Sequence, residues 1–144
     1  MKTISSMNLI LQNQANHGNL VLDNVPRLRF QEFSDKWKSS KFKDLCVIVG
    51  GGTPDTNIAE YWDNNILWFT PTELKEKYIA ISKRTISEKG LNKSSAKLLP
   101  KGTLLFSSRA TIGEVSIALH ECTTNQGFQS MIVNNENSNE FIYY

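Results

Sequence analysis

The sequence predicts an α+β domain, β-rich and irregular, with short helices. Three observations carry that prediction. Short apolar runs rich in β-branched and aromatic residues recur at 42–50, 66–70, 103–106, 114–119 and 128–133, each of strand length and bounded by turn residues. Helix signals are few and brief. Loops of Gly, Ser, Thr and Asn take much of the remaining chain, and no repeat, heptad run or low-complexity tract occurs. The chain has 144 residues, enough for one domain with a real core. Its composition, 40% hydrophobic and 21% charged, is that of an ordinary globular protein.

Residues 1–24 are rich in Asn and Gln without a clear period, and read as a mobile or loosely helical arm. The start, MKTISSMNLILQ, lacks the apolar length and small-residue cleavage site of a secretory signal. A domain is expected over 25–144. Pro26 forces an extended opening, and Phe30, Phe33 and Trp37 then make a partial helical stripe. The run 42-FKDLCVIVGGG-52 reads as a buried strand leading into a strained turn. A loop follows, then a short buried strand at 66-ILWFT-70, with Thr72 as cap of a brief helix through Leu74. Residues 78–91 alternate enough for a strand with a turn near Gly90. A short helix is expected over 91–102, capped by Asn92 or Ser94 and stopped before Pro100. The tail ends in FIYY, an exposed aromatic cluster that suits a missing partner surface or a chain incomplete at its C-terminus.

Net charge is only +2, but it is unevenly placed. Residues 75–109 hold nine bases against two acids, a local net of +7. Such a segment is either a solvated lysine-rich surface or an electrostatic footprint for a polyanion. Catalytic readings lack material. After Gly50 and Gly52 the third glycine of G-x-G-x-x-G is replaced by Asp55, and no G-K-S/T occurs. With two histidines, His17 and His120, metal sites and Ser-His-acid triads are not supplied. Asp55, Glu60 and Asp63 share no common face and read as solvated acids. Cys46 and Cys122 read as buried free thiols of a reducing cytoplasm. A methyltransferase would need an Asn/Asp-Pro-Pro-aromatic tetrapeptide, which is absent.

The segment 103-TLLFSSRATIGEVSIAL-119 is strand, polar insert, strand. A hairpin that only closes a sheet wants a two-residue Asn-Gly turn. This insert presents hydroxyls and a guanidinium, and 123-TTNQGF-128 adds two carboxamides. Those groups read base edges and grip phosphates.

The ordered series GGTP (51–54), YWDNNILWFTPTEL (61–74), ISKRTISEKGLNKSSAKLLPKGTLLFSSRATIGEVSI (81–117) and TTNQGF (123–128), opened by VPRLRFQEFSDKWK (25–38), resembles the type I restriction enzyme specificity subunit. The likeness covers residues 25–144 and, on the resemblance, reads as one truncated half, without the family's spacer helix and second domain. The resemblance implies a non-catalytic target recognition domain that reads half of a split double-stranded DNA target in the major groove, in the cytoplasm. It binds no cofactor itself. The modification subunit uses S-adenosylmethionine, the restriction subunit uses ATP with Mg, and a second half-specificity subunit is a further implied partner; no membrane is involved. The alternative is a protein-interaction or dimerisation fragment without independent DNA binding.

On the resemblance, the DNA-facing candidates are Lys93, Lys97, Ser107, Ser108, Arg109, Thr111, Asn125 and Gln126. Arg109 suits a guanine edge or a phosphate, or else a structural ion pair. Asn125 and Gln126 suit adenine, or else tie loops through backbone bonds. The hydroxyls suit phosphates or bases, and Lys93 and Lys97 add sequence-independent grip. Gly51, Thr53 and Pro54 are expected to shape a loop beside that face.

Overall fold

The computed structural model describes residues 38–144, together with Leu28, Gln31, Asp35 and Lys36. The arm expected over 1–24 and the stripe of Phe30, Phe33 and Trp37 lie outside the described residues. Ser40–Tyr144 forms a compact unit.

That unit is two sheets with short helices, an α+β fold. A one-turn helix α1 (Phe42–Leu45) runs into strand β1 (Cys46–Gly50). A 3₁₀ turn (Ala59–Tyr61) leads to β2 (Trp62–Phe69), and a second 3₁₀ turn (Pro71–Glu73) follows it. Next come β3 (Tyr78–Ile79), β4 (Arg84–Ile86) and helix α2 (Glu88–Asn92). The chain closes with β5 (Leu104–Phe106), β6 (Val115–Ala118), β7 (Cys122–Thr124), β8 (Gln129–Val133) and helix α3 (Asn139–Tyr143). The larger sheet has the order β1-β8-β5-β6-β3 and the smaller β4-β2-β7. Pairing is antiparallel except for β3 with β6 and β2 with β7.

The main core lies between the sheets, because it unites Leu105 and Ala118 of the larger one with Phe69 and Cys122 of the smaller. Phe69, Phe128, Leu74, Leu99 and Leu105 are enclosed almost completely, and each such side chain contributes roughly 2 kcal/mol by leaving water. A second cluster joins Trp62, Trp68, Ile86 and Ala96, with the two indoles edge to face at 5.0 Å. Cys46 and Cys122 are buried free thiols, and burial pushes the Cys122 thiol up to about 12.

Several local expectations are corrected. The run expected as one buried strand at 42–52 is a helical turn plus an edge strand, with Val47 64% and Ile48 52% exposed. In β5, between β8 and β6, Leu104 and Leu105 are fully buried, Leu105 in the core shared with the smaller sheet. The segment 78–91 splits into β3, β4 and a helix, its two strands serving different sheets. The brief helix near 72 is capped by Thr70: the Glu73 carboxylate accepts the Thr70 N–H and hydroxyl at 2.7 Å each. The helix expected over 91–102 lies earlier, at 88–92, because the Ser87 hydroxyl accepts the Gly90 N–H at 3.0 Å and so caps it there. Beyond it, the Ser94 hydroxyl accepts the Ala96 N–H at 3.2 Å, a local bond that competes with helix.

Candidate nucleic-acid interface

Strand directions bring four loops to one end of the sheets. Gly50 of β1 pairs with Gln129 of β8, so the loop leaving β1 lies beside the loop entering β8. Phe106 pairs with Val115, so the insert 107–114 opens at that same end, where a Ser107–Phe128 bridge also sits. Phe69 pairs with Thr124 in parallel, adding the exits of β2 and β7.

The loops are tied to each other through backbone atoms. Gly52 donates its N–H to Thr124 O at 2.8 Å, and the Trp68 indole N–H donates to Gly52 O at 2.9 Å. A Cβ on Gly51 would stand 2.0 Å from Asn125 O, and one on Gly52 would stand 2.3 Å from Ser95 Oγ. Only glycine lets this strand pass between the β7 exit and residues 95–96. Pro54 is enclosed beside them. Thr53 donates its hydroxyl to Gln126 Oε1 at 2.6 Å. Asn125 Oδ1 accepts the Gly127 N–H at 2.8 Å, closing an Asx turn. Gly127 O then accepts both the Ser108 N–H at 2.8 Å and the Ser108 hydroxyl at 3.1 Å. Thr111 donates its hydroxyl to Pro71 O at 3.1 Å, pinning the insert to the β2 exit.

The predicted site residues therefore divide. Ser107, expected on the DNA face, is wholly buried; its hydroxyl donates to Arg109 O at 2.7 Å and shapes the insert from within. Ser108, Thr111 and Asn125 are half-buried and engaged with backbone atoms. Arg109 and Gln126 stand exposed on adjoining loops, one residue to either side of the Ser108–Gly127 tie. Ala110 holds φ at 58°, a left-handed turn for a non-glycine residue that swings the insert back directly after Arg109.

Lys93 and Lys97 are exposed. Their expected place on a helix is corrected: Lys93 follows α2, and Lys97 lies in the irregular stretch beyond it, next to the Ala96 that touches Gly52. Arg109, Lys93 and Lys97 meet no carboxylate among the described residues.

The basic segment 75–109 is not a single ridge. Lys101 precedes β5 and so stands at the opposite end from the four loops. Lys89 is bound to Glu60. Lys77, on the β3 edge, is bound to Glu140 and lies 4.4 Å from the Tyr144 ring centre. Arg84, which is not among the candidates read from the sequence, is exposed and lies 3.5 Å over the Trp62 ring. Its signal in sequence was an arginine in register with an aromatic strand, visible only once β2 and β4 are paired. Among the described residues, no group of three or more His, Cys, Asp or Glu is placed to hold a metal ion, and no helix is long and apolar enough to cross a membrane.

Interlocked loops on a two-sheet scaffold, carrying bare cations and carboxamides, define a recognition module. Residues 34–144 match the family described as the type I restriction modification DNA specificity domain, and the chain belongs to that family. It is 45% identical over 111 residues to the type I restriction enzyme MjaIX specificity subunit of Methanocaldococcus jannaschii, covering 75% of this chain and 26% of that protein. In fold it resembles the HsdS subunit of Thermoanaerobacter tengcongensis, with a TM-score of 0.54 and 19% identity over 72% of this chain and 25% of the other. A chain from a structure of type I R-M system complex assembly and conformational transition matches with a TM-score of 0.59 at 17% identity, over 97% of this chain and 33% of the other. The chain thus spans about a quarter of the length of the curated relative.

Proposed function

We propose that this domain reads part of a double-stranded DNA target as the specificity component of a type I restriction–modification system, without bond-making chemistry of its own. The observation that carries this reading is the convergence of the 51–54, 70–73, 107–114 and 125–128 loops at one end of the sheets, with Arg109 and Gln126 exposed on them and residues 95–96, next to the exposed Lys97, against Gly52. Family membership and a relative named as a specificity subunit support it. Arg109 would take a guanine edge or clamp a phosphate, each good bidentate base contact discriminating by about 1–3 kcal/mol. Gln126 would face a base with its amide N–H donors, since Thr53 already holds its carbonyl. Lys93 and Lys97 would neutralise phosphates without choosing sequence.

In this role the chemistry belongs to partners in the cytoplasm: a modification subunit supplied with S-adenosylmethionine and a restriction subunit supplied with ATP and Mg. The kinship with a chain from an assembled type I system supports such partners.

Selection from a random duplex pool, with the full chain alone and with a modification subunit, tests the proposal. One short enriched motif is the expected result. A salt-insensitive dimer that enriches nothing would overturn it in favour of a protein-interaction fragment.

A further inference from the structure

We propose that Arg84 is a further DNA-contacting residue of this face, binding the phosphate backbone beside the loops that carry Arg109 and Gln126. The inference rests on the DNA-reading function above. Arg84 pairs across the ladder with Trp68, whose indole N–H is bonded to Gly52 O. Its guanidinium lies 3.5 Å over the Trp62 ring, and the Trp62 indole N–H donates to Asp55 O at 3.1 Å. The backbone of 52–55 thus runs along the edges of both indoles, and Arg84 covers one of them. From there the same loop reaches Gln126 through Thr53. Arg84 and Arg109 therefore sit at two ends of one hydrogen-bonded run of loops.

The side chain is prepared for a ligand rather than satisfied. It is exposed and has no carboxylate partner among the described residues. Glu73, the acid of the neighbouring turn, spends one oxygen on Thr70 and the other on the Lys83 N–H at 2.7 Å. The backbone at Arg84 is pinned as well: its carbonyl accepts the Ser82 hydroxyl at 2.6 Å, and Ser82 Oγ accepts the Trp68 N–H at 3.2 Å. Stacking holds the guanidinium plane while its N–H groups still project from the edge, the geometry that meets two phosphate oxygens. Little further ordering is then required on binding.

The test compares Arg84→Met, which keeps an apolar stem against the indole, with Arg84→Lys, which keeps charge without the fork. Duplex affinity is measured across a salt series with the wild type's enriched duplex, alongside thermal melting. Arg84→Met is expected to bind about 10-fold more weakly and to flatten the log–log salt slope by about one, with the enriched motif and melting unchanged. Arg84→Lys should recover the slope but only part of the affinity. Wild-type binding by Arg84→Met, while Arg109→Ala is impaired, would overturn this inference and leave the DNA reading intact. A fall in melting alone would also overturn it, by making Arg84 a packing residue. No duplex binding by the wild type would overturn both.

Discussion

Lys77 and Arg109 belong to one basic stretch of sequence, yet the protein uses their charges in opposite ways. Lys77 is spent. Hydrogen bonds to Glu140 and Tyr144 hold its ammonium above the ordinary lysine range, and it lies near the rings of Tyr78, Tyr143 and Tyr144. Through it, and through the Tyr78 hydroxyl donated to Glu140 at 2.6 Å, α3 is fastened to the β3 edge. Arg109 is unspent: exposed, without a carboxylate partner among the described residues, and carried on a loop whose Ser107, Ser108 and Thr111 hydroxyls donate to backbone carbonyls and hold it in shape. The difference teaches that a count of basic residues measures neither a footprint nor a fold. What matters is which cations have already met an acid.

The largest effect expected from breaking this arrangement lies in the glycines, where neighbours in sequence should behave oppositely. Gly51→Ala puts a methyl into Asn125 O and should cost about 3 kcal/mol in urea unfolding, the loss typical of severe steric conflict. Gly50→Ala, with nothing within 4 Å of the new carbon, should stay within about 0.5 kcal/mol. Next in size, Arg109→Ala should weaken binding to an enriched duplex by about 10-fold or more while leaving thermal melting unchanged, because its side chain makes no hydrogen bond or ion pair among the described residues. Glu140→Gln should leave duplex binding unchanged.

The smallest effect is one of pH at the tail. Hydrogen bonds from Lys77 and then Tyr78 hold the Glu140 carboxyl below its ordinary value of 4.5. A carboxyl lowered in the folded state contributes fully above its unfolded value, and that contribution is lost as pH falls through the folded one. Tyr78 and Tyr144 ring resonances should therefore shift toward an undocked α3 only below about pH 4.5, by the linkage just given. Glu140→Gln should abolish that dependence.

Much of the architecture was legible. Runs such as LLF at 104–106 and QSMIV at 129–133 announce strands through composition and bounding turns. Illegible were the properties set by partners distant in sequence. CVIVG reads as buried, yet it ends as an edge because no described strand pairs with its outer side. Ser107 reads as an exposed hydroxyl like Ser108, but the Phe128 bridge draws it inward. Arg84 gains its place only through the register with Trp68 and the stack on Trp62. At the site, the loops were recognisable by residue type, while the division between holders and exposed groups needed the fold.

The contrast between spent and unspent cations can be measured directly as the slope of log affinity against log salt on one enriched duplex, comparing Lys97→Gln with Lys77→Gln. Each phosphate neutralised adds about 0.9 to the slope. Lys97→Gln should reduce it by about that amount and Lys77→Gln should leave it at the wild-type value. Equal reductions by both would contradict the account, because they would mean that charge, wherever it lies, is all the duplex detects.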